Sequence, residues 1–358
     1  MLIHALLFLL GLAALVAGAE LLVRGASKIA LSLGISPLVV GLTIVAMGTS
    51  SPEVAVSVGA VLNSSADIAV GNVVGSNIFN VLFILGISAL VTPLVVHSQI
   101  IRQEVPIMIG ASLVLAVMAI DARLGRLESA LLLSMLVGYV FFLVRQSRAE
   151  TAETRGEFEG RVSAPGGWDR HWSVQLLLIL AGLGLLVLGS NWLVDAAVAF
   201  ARAFGVSELV IALTIVAAGT SMPEVATSVM AALKGERDIA VGNVVGSNTF
   251  NILGCLGLAG IVSGSAGLGV APQVMGFDLW VMLAVTLACL PVFITGREIA
   301  RWEGALFLAY YAAYVAWLIL AAQHASLLGT YATVMMSFVL PLTLVTLVVM
   351  LIRRPRRP

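Results

Sequence analysis

The chain has 358 residues, 60% of them hydrophobic and 11% charged, with 19 basic side chains matching 19 acidic ones. Its mean hydropathy is +1.08. That much apolar surface cannot be hidden in a water-soluble core of this length, so a soluble enzyme or binding module is excluded and the solvent for most of the chain is lipid.

Apolar runs of about 20 residues recur, each long enough to cross roughly 30 Å of hydrocarbon as a helix. Eleven spans are expected, at 3–23, 38–62, 68–91, 104–120, 125–145, 173–200, 208–232, 239–263, 278–295, 302–321 and 331–352. The first run ends on Ala17-Gly18-Ala19, the small residues of a signal-peptide cleavage site. It lacks a basic flank and carries Glu20, so it reads as a mature helix. The second contains Gly48-Thr49-Ser50-Ser51-Pro52-Glu53. Proline removes a backbone donor and clashes with the preceding turn, which predicts an interruption with freed carbonyls near Ala46. Thr49 and Ser50 stand four and three residues before Glu53, on one helix face with the carboxylate. In the third span Asn72, Ser76 and Asn80 recur at intervals of four along one face. Asp67 is expected to cap the start of that helix, as is Asp238 of the eighth.

Residues 146–172 are polar, of mixed charge and punctuated by Gly and Pro, and read as a linker rather than a calcium sensor. Beyond it the chain repeats itself. Leu213 to Gly257 matches Leu42 to Gly86 at a constant offset of 171, with 32 of 45 positions identical. Gly219-Thr220-Ser221-Met222-Pro223-Glu224 therefore interrupts the seventh span, with freed carbonyls near Ala217, and Asn243, Ser247 and Asn251 line the eighth. Five spans fit into each unit of 171 residues. Because five is odd, the second copy enters the membrane from the opposite side. The expected fold is all-α and membrane-integral: two inverted repeats of five helices (1–145 and 173–321), a cytoplasmic linker (146–172), and an eleventh helix with a basic tail (322–358).

Placing the N-terminus outside puts 16 Lys and Arg in the cytoplasm and leaves Arg123, Arg126 and Arg202 outside, so the positive-inside rule selects that orientation with a cytoplasmic C-terminus. The terminal Arg353–Arg357 cluster is then a topological anchor rather than a nucleic-acid binding element. Cys255 and Cys289 read as inert buried thiols. The four histidines lie near predicted helix ends and form no metal cluster.

A carboxylate in mid-membrane costs several kcal/mol unless it is paired or faces a polar cavity. No Lys or Arg occurs at 29–101, 203–233 or 238–296, so the missing partner of Glu53 and Glu224 is read as a bound cation. Carboxylate, hydroxyl, amide and carbonyl oxygens without imidazole or thiolate suit hard ions such as Ca2+ and Na+.

Paired Gly-Thr-Ser-x-Pro-Glu motifs, each followed by Gly-Asn-x-x-Gly-Ser-Asn-x-x-Asn, resemble the two alpha repeats of the calcium/cation antiporter superfamily, and most closely its prokaryotic sodium/calcium exchanger branch. The resemblance covers roughly residues 1–321. It implies a secondary antiporter, not an enzyme, in the cell inner (plasma) membrane. Ca2+ and Na+ are its cargo, the bilayer its surroundings, and no cofactor is implied. Carried over by position, Glu53 and Glu224 would bind Ca2+ and also Na+. Thr49, Ser50, Thr220, Ser221, Ser76 and Ser247, with the backbone oxygens of Ala46 and Ala217, would line Na+ sites, and Asn80 and Asn251 would complete the centre. Asn rather than Asp at 251 argues against potassium co-transport. The resemblance further implies three Na+ per Ca2+, with helices one and six sliding across the ion-binding bundle. Gly11, Gly18, Gly182, Gly184 and Gly189 would then form a smooth sliding face, or serve ordinary helix packing. A proton/calcium exchanger and a cation channel remain the alternatives. A hydrolase is disfavoured because Ser50, Ser51 and Ser221 lack a His, Lys or paired Asp.

Overall fold

A computed structural model describes residues 2–352 except 34, 64, 150–170, 207 and 324. Most of the expected linker, His324 and the basic tail from residue 353 lie outside the described residues. The described chain is almost wholly helical. In the first half α1 (Leu2–Ser32), α2 (Pro37–Thr49), α3 (Ser51–Leu62), α4 (Ala66–Val91), α5 (Ile100–Asp121) and α6 (Arg126–Ser147) follow one another. The second half repeats the order with α7 (Trp172–Ala203), α8 (208–219), α9 (Met222–Leu233), α10 (Arg237–Val262), α11 (Val274–Ile294) and α12 (Arg301–Ala322), and α13 (Leu328–Val349) follows.

Among the described residues nine helices are long and apolar enough to span a membrane, and α2 with α3, bent by 41°, makes a tenth. The expected seventh span is divided into α8 and α9. Both breaks have the same cause. Ser50 (φ −80°, ψ 6°) and Ser221 (φ −89°, ψ 9°) leave helical geometry immediately before the turns that carry Pro52 and Pro223. The carbonyls left without a helical donor are those four residues before each proline, Gly48 and Gly219, so the expectation of a freed Ala46 carbonyl is corrected. Ala46 O accepts the Ser50 N–H at 3.0 Å. Gly48 O accepts from Ser51 Oγ at 2.7 Å. Met222 replaces that serine in the second half, and Gly219 O accepts instead from Ser190 Oγ of α7 at 2.7 Å.

α1 and α7 cross in opposite directions in close contact. A β-carbon on Gly11 would lie 2.8 Å from Gly189 O, and one on Gly18 2.8 Å from Gly182 O. These four glycines lock α1 to α7 and form no sliding face toward the bundle; a β-carbon on Gly184 would meet nothing within 4 Å. Antiparallel packing of corresponding helices is what inverted halves require. The loops repeat the exchange. Leu94–Val95 (β1) pairs antiparallel with Glu298–Ile299 (β4), and Arg123–Leu124 (β2) with Leu268–Gly269 (β3). The most enclosed spans are α4 and α10, with 78% and 89% of their apolar windows buried, whereas α13 buries none of its own. The bundle is thus built around the two helices that carry the Asn and Ser faces.

Three pairs of wide, π-helical turns were not foreseen from sequence. They fall at Gly41–Val45 and Ala212–Val216, at Asn80–Leu85 and Asn251–Cys255, and at Ile100–Glu104 and Val274–Asp278. In these turns an N–H reaches the carbonyl five residues back, as from Ala46 to Gly41 and from Leu256 to Asn251. Such bulges re-aim side chains and concentrate at functional sites.

Candidate ion-binding site between the inverted halves

Glu53 and Glu224 each lie in the first turn after a break, and both are completely buried. The sequence placed Ser50 beside Glu53; the structure pairs the serines across the halves. Ser50 Oγ donates to Glu224 Oε1 at 3.0 Å, and Ser221 Oγ donates to Glu53 Oε1 at 2.8 Å. The two bonds are related by the offset of 171. Thr49 Oγ1 lies 3.1 Å from both Val45 O and Asn243 Oδ1. Its counterpart Thr220 faces Glu53 without closing a hydrogen bond of normal geometry. Asn72 and Asn243 turn their amide nitrogens away from the carboxylates. Their Nδ2 groups donate to Ser57 Oγ at 3.1 Å and Ser228 Oγ at 2.9 Å, tying α4 to α3 and α10 to α9 and so setting the depth of each carboxylate.

Several buried acceptors on these helices are left unused. Among the described residues Glu53 Oε2, Glu224 Oε2, Ser76 Oγ, Ser247 Oγ and Asn80 Oδ1 are buried and have no hydrogen-bond partner. Asn251 Oδ1 accepts only the weak donor Cys255 Sγ, at 3.5 Å. Leaving a buried polar group unsatisfied costs about 1–3 kcal/mol, more when it is charged. Unsatisfied oxygens of these kinds, two of them on carboxylates with no basic residue in the surrounding spans, are of the donor types that suit a hard cation. Asp67 and Asp238 are not caps: Ala66 and Glu236 hold those positions, and the aspartates sit in the first helical turn, where the helix dipole favours negative charge.

The two halves share a sequence but not a conformation. A β-carbon on Gly246 of α10 would strike Leu42 of α2, with 2.7 Å to its carbonyl oxygen, whereas one on the corresponding Gly75 of α4 would meet nothing within 4 Å. α2 is thus closed onto α10 while α8 stands away from α4. Val45 in α2 is 0% exposed and its counterpart Val216 in α8 is 50% exposed. The two helix pairs related by exchange of the halves are therefore packed unequally, tightly at α2–α10 and loosely at α8–α4.

The family description "Sodium/calcium exchanger protein" matches residues 3–145 and 174–320, which together are most of the chain. The chain belongs to the sodium/calcium exchanger family. This exchanger is 38% identical to inner membrane protein YrbG of Escherichia coli over 80% of its own length and 87% of that protein's. It is 34% identical to the sodium/calcium exchanger MaX1 of Methanosarcina acetivorans, covering 87% and 97% of the two chains. Its fold superposes on the solved sodium-calcium exchanger NCX_Mj with a TM-score of 0.74 at 29% identity, over 88% of this chain and 98% of that one. The relatives are transporters, so this exchanger is a multi-pass membrane antiporter and not an enzyme.

Two further membrane carboxylates escaped the sequence reading. Glu104 accepts from Tyr139 Oη of α6 at 2.8 Å and from Gln99 Nε2 at 3.1 Å. Asp278 of α11 accepts from Tyr314 Oη of α12 at 2.9 Å. Each acid closes a π-helical turn and braces the next helix in its half. The pairing of one acid and one tyrosine per half was visible in the sequence, but the offset drifts to 174 and 175 there, outside the gapless repeat.

Proposed function

We propose that this exchanger carries Ca2+ in one direction against Na+ in the other by alternating access, with Glu53 and Glu224 as the charged ligands. The reciprocal serine bonds carry the reading, because each satisfies one carboxylate oxygen and leaves the other free for an ion shared by both halves. Two carboxylates balance one Ca2+ or two Na+. Thr49, Ser50, Thr220, Ser221, Ser76 and Ser247 supply neutral oxygens for Na+, which allows a third Na+ and a stoichiometry of three to one. Asn80 and Asn251 complete the centre without adding charge, so potassium is not co-transported.

The proposed units are 1–145 and 173–321, joined by the linker 146–172 and followed by 322–358. The proposed location is the cell inner membrane, with the N-terminus outside and the C-terminus in the cytoplasm. The two ribbons support this topology, since each joins loops that the alternation of spans assigns to one side. The distribution of Lys and Arg supports the orientation.

Ca2+ uptake into proteoliposomes of the purified chain, driven by an outward Na+ gradient, tests the proposal. Uptake that follows a pH gradient and ignores Na+ would assign proton coupling instead. Flux without any counter-ion, at rates far above exchange, would assign a channel.

A further inference from the structure

Asn77 and Asn248 belong to the duplicated Gly-Ser-Asn-x-x-Asn segment, yet neither faces the orphaned oxygens. Both are buried, at 2% and 0% exposure, where the two halves cross. Asn77 Nδ2 donates to the backbone carbonyl of Asn248 at 3.2 Å, and Asn248 Nδ2 donates to the backbone carbonyl of Asn77 at 3.3 Å. A backbone carbonyl only accepts, so each amide must turn its nitrogen toward the other half. The sulfur of Met282 in α11, 3.8 Å from Asn77 Nδ2, is an acceptor as well and holds the same orientation.

With the nitrogens committed, the oxygens are committed too. Asn77 Oδ1 accepts from Asn251 Nδ2 at 3.1 Å, and Asn248 Oδ1 accepts from Asn80 Nδ2 at 2.9 Å. Asn80 and Asn251 thereby present their nitrogens to the relay and their oxygens away from it. Asn80 Oδ1 is in consequence one of the unpartnered buried acceptors, and Asn251 Oδ1 has only the Cys255 thiol. An amide's two ends are nearly equal in size, and hydrogen-bonding partners alone decide which end points where. Turned the other way, Asn80 or Asn251 would aim an NH2 donor at the cation.

We infer that Asn77 and Asn248 are positioning residues that fix the amide orientation of Asn80 and Asn251 so that both present oxygen to the transported ion. The inference rests on the ion-site reading above. Because each relay joins a backbone carbonyl and a ligand amide of one half through the asparagine of the other half, it makes ligand orientation depend on the halves remaining engaged.

The test exploits the symmetry of a carboxylate, which offers oxygen whichever way it turns. Ca2+ binding to the purified full-length chain is measured by titration calorimetry at pH 8 for the parent, Asn77→Leu, Asn251→Asp and the double variant, with thermal midpoints alongside. Asn77→Leu should weaken Ca2+ binding about tenfold, the loss of one oriented ligand oxygen. The double variant should bind within about threefold of Asn251→Asp, although its thermal midpoint falls as far as that of Asn77→Leu. Asn248→Leu with Asn80→Asp should reproduce the pattern from the other half. If the leucine variants do not fold, Asn77→Ala and Asn248→Ala, which leave room for water, take their place. Unchanged affinity in the Asn77 and Asn248 variants, or a double variant as weak as its Asn77 parent, overturns the inference. Absence of Ca2+ binding by the parent itself would instead refute the ion-site reading.

Discussion

Gly75 and Gly246 occupy the same place in the duplicated segment Gly-Asn-Val-Val-Gly-Ser-Asn, so a methyl group added at each separates conformation from sequence. On Gly246 it would lie 2.7 Å from Leu42 O, 2.8 Å from Leu42 Cα and 2.9 Å from Ala46 Cβ. Backbone atoms cannot rotate out of the way, so Gly246→Ala forces α2 off α10 at an overpacking cost of about 1–3 kcal/mol. In a two-state equilibrium that is roughly a 5- to 150-fold change in population. Gly75→Ala meets nothing within 4 Å in this conformer. It incurs the same cost only in the conformer related by exchange of the halves, in which α8 closes on α4. The two substitutions should therefore bias access in opposite directions. Thiol labelling of Val45→Cys and Val216→Cys reads this out, since Val45 is 0% and Val216 50% exposed and the native Cys255 and Cys289 are buried. In the parent background Val216→Cys should react and Val45→Cys should be protected. Gly246→Ala should make Val45→Cys reactive, and Gly75→Ala should leave it protected while slowing exchange. Equal labelling of Val45→Cys in both glycine variants would refute the reasoning.

Other substitutions address charge. Glu53→Gln and Glu224→Gln should each lower apparent Ca2+ affinity by at least about tenfold, since each removes half of the site's charge; circular dichroism should show the helices intact, and normal uptake by either variant would remove that residue from the site. The parent should exchange equally well with and without K+, whereas Asn251→Asp, which places a third carboxylate beside two others, should acquire a new dependence on pH or on a monovalent ion between pH 6 and 8. Uptake assays of both proteins with and without K+ decide this, and an unchanged profile in Asn251→Asp would place residue 251 away from the ion. Outside the membrane, burial raises the carboxyl pKa of Glu236 above its ordinary value. A raised folded-state pKa contributes stability that is fully present below the unfolded value of about 4.3 and is lost as pH rises through the folded value. Glu236→Gln should therefore raise the thermal midpoint at pH 7 relative to the parent, with the gap closing toward pH 4; a gap that widens on acidification would contradict the burial argument.

The repeat, the two interrupted helices and the buried carboxylates were legible because each leaves a local mark: a fixed offset, a proline in an apolar run, a glutamate without a basic neighbour. Partnership across the halves was not legible. Nothing in Gly48–Glu53 indicates that Ser50 serves Glu224, since a helix-face argument assumes a continuous helix and the break at Ser50 turns the hydroxyl toward the other half. Asn77 and Asn248 were overlooked for a related reason. Periodicity of four singled out Asn72, Ser76 and Asn80 and passed over the residue between, whose role exists only where α4 meets α10. Of the two readings the sequence leaves open for the glycines of α1 and α7, a sliding face or ordinary helix packing, the structure shows packing, since small residues mark close approach without naming the partner.

The same geometry explains why such a site would exchange ions rather than leak them. With no cation bound, Glu53 and Glu224 have one orphaned oxygen each and no basic side chain in the spans that hold them. Two uncompensated carboxylates deep in the membrane cost several kcal/mol. On the proposed function, moving to the exchanged conformer would require α8 to close on α4 and α2 to leave α10, carrying the buried charge through an enclosed state. A bound Ca2+, or Na+ in matching charge, would remove that penalty by occupying the unpartnered oxygens. On the proposed function the empty carrier would be held in whichever conformer leaves its carboxylates nearest water and only the loaded carrier would cross, so that each passage of one ion would be answered by the return of the other.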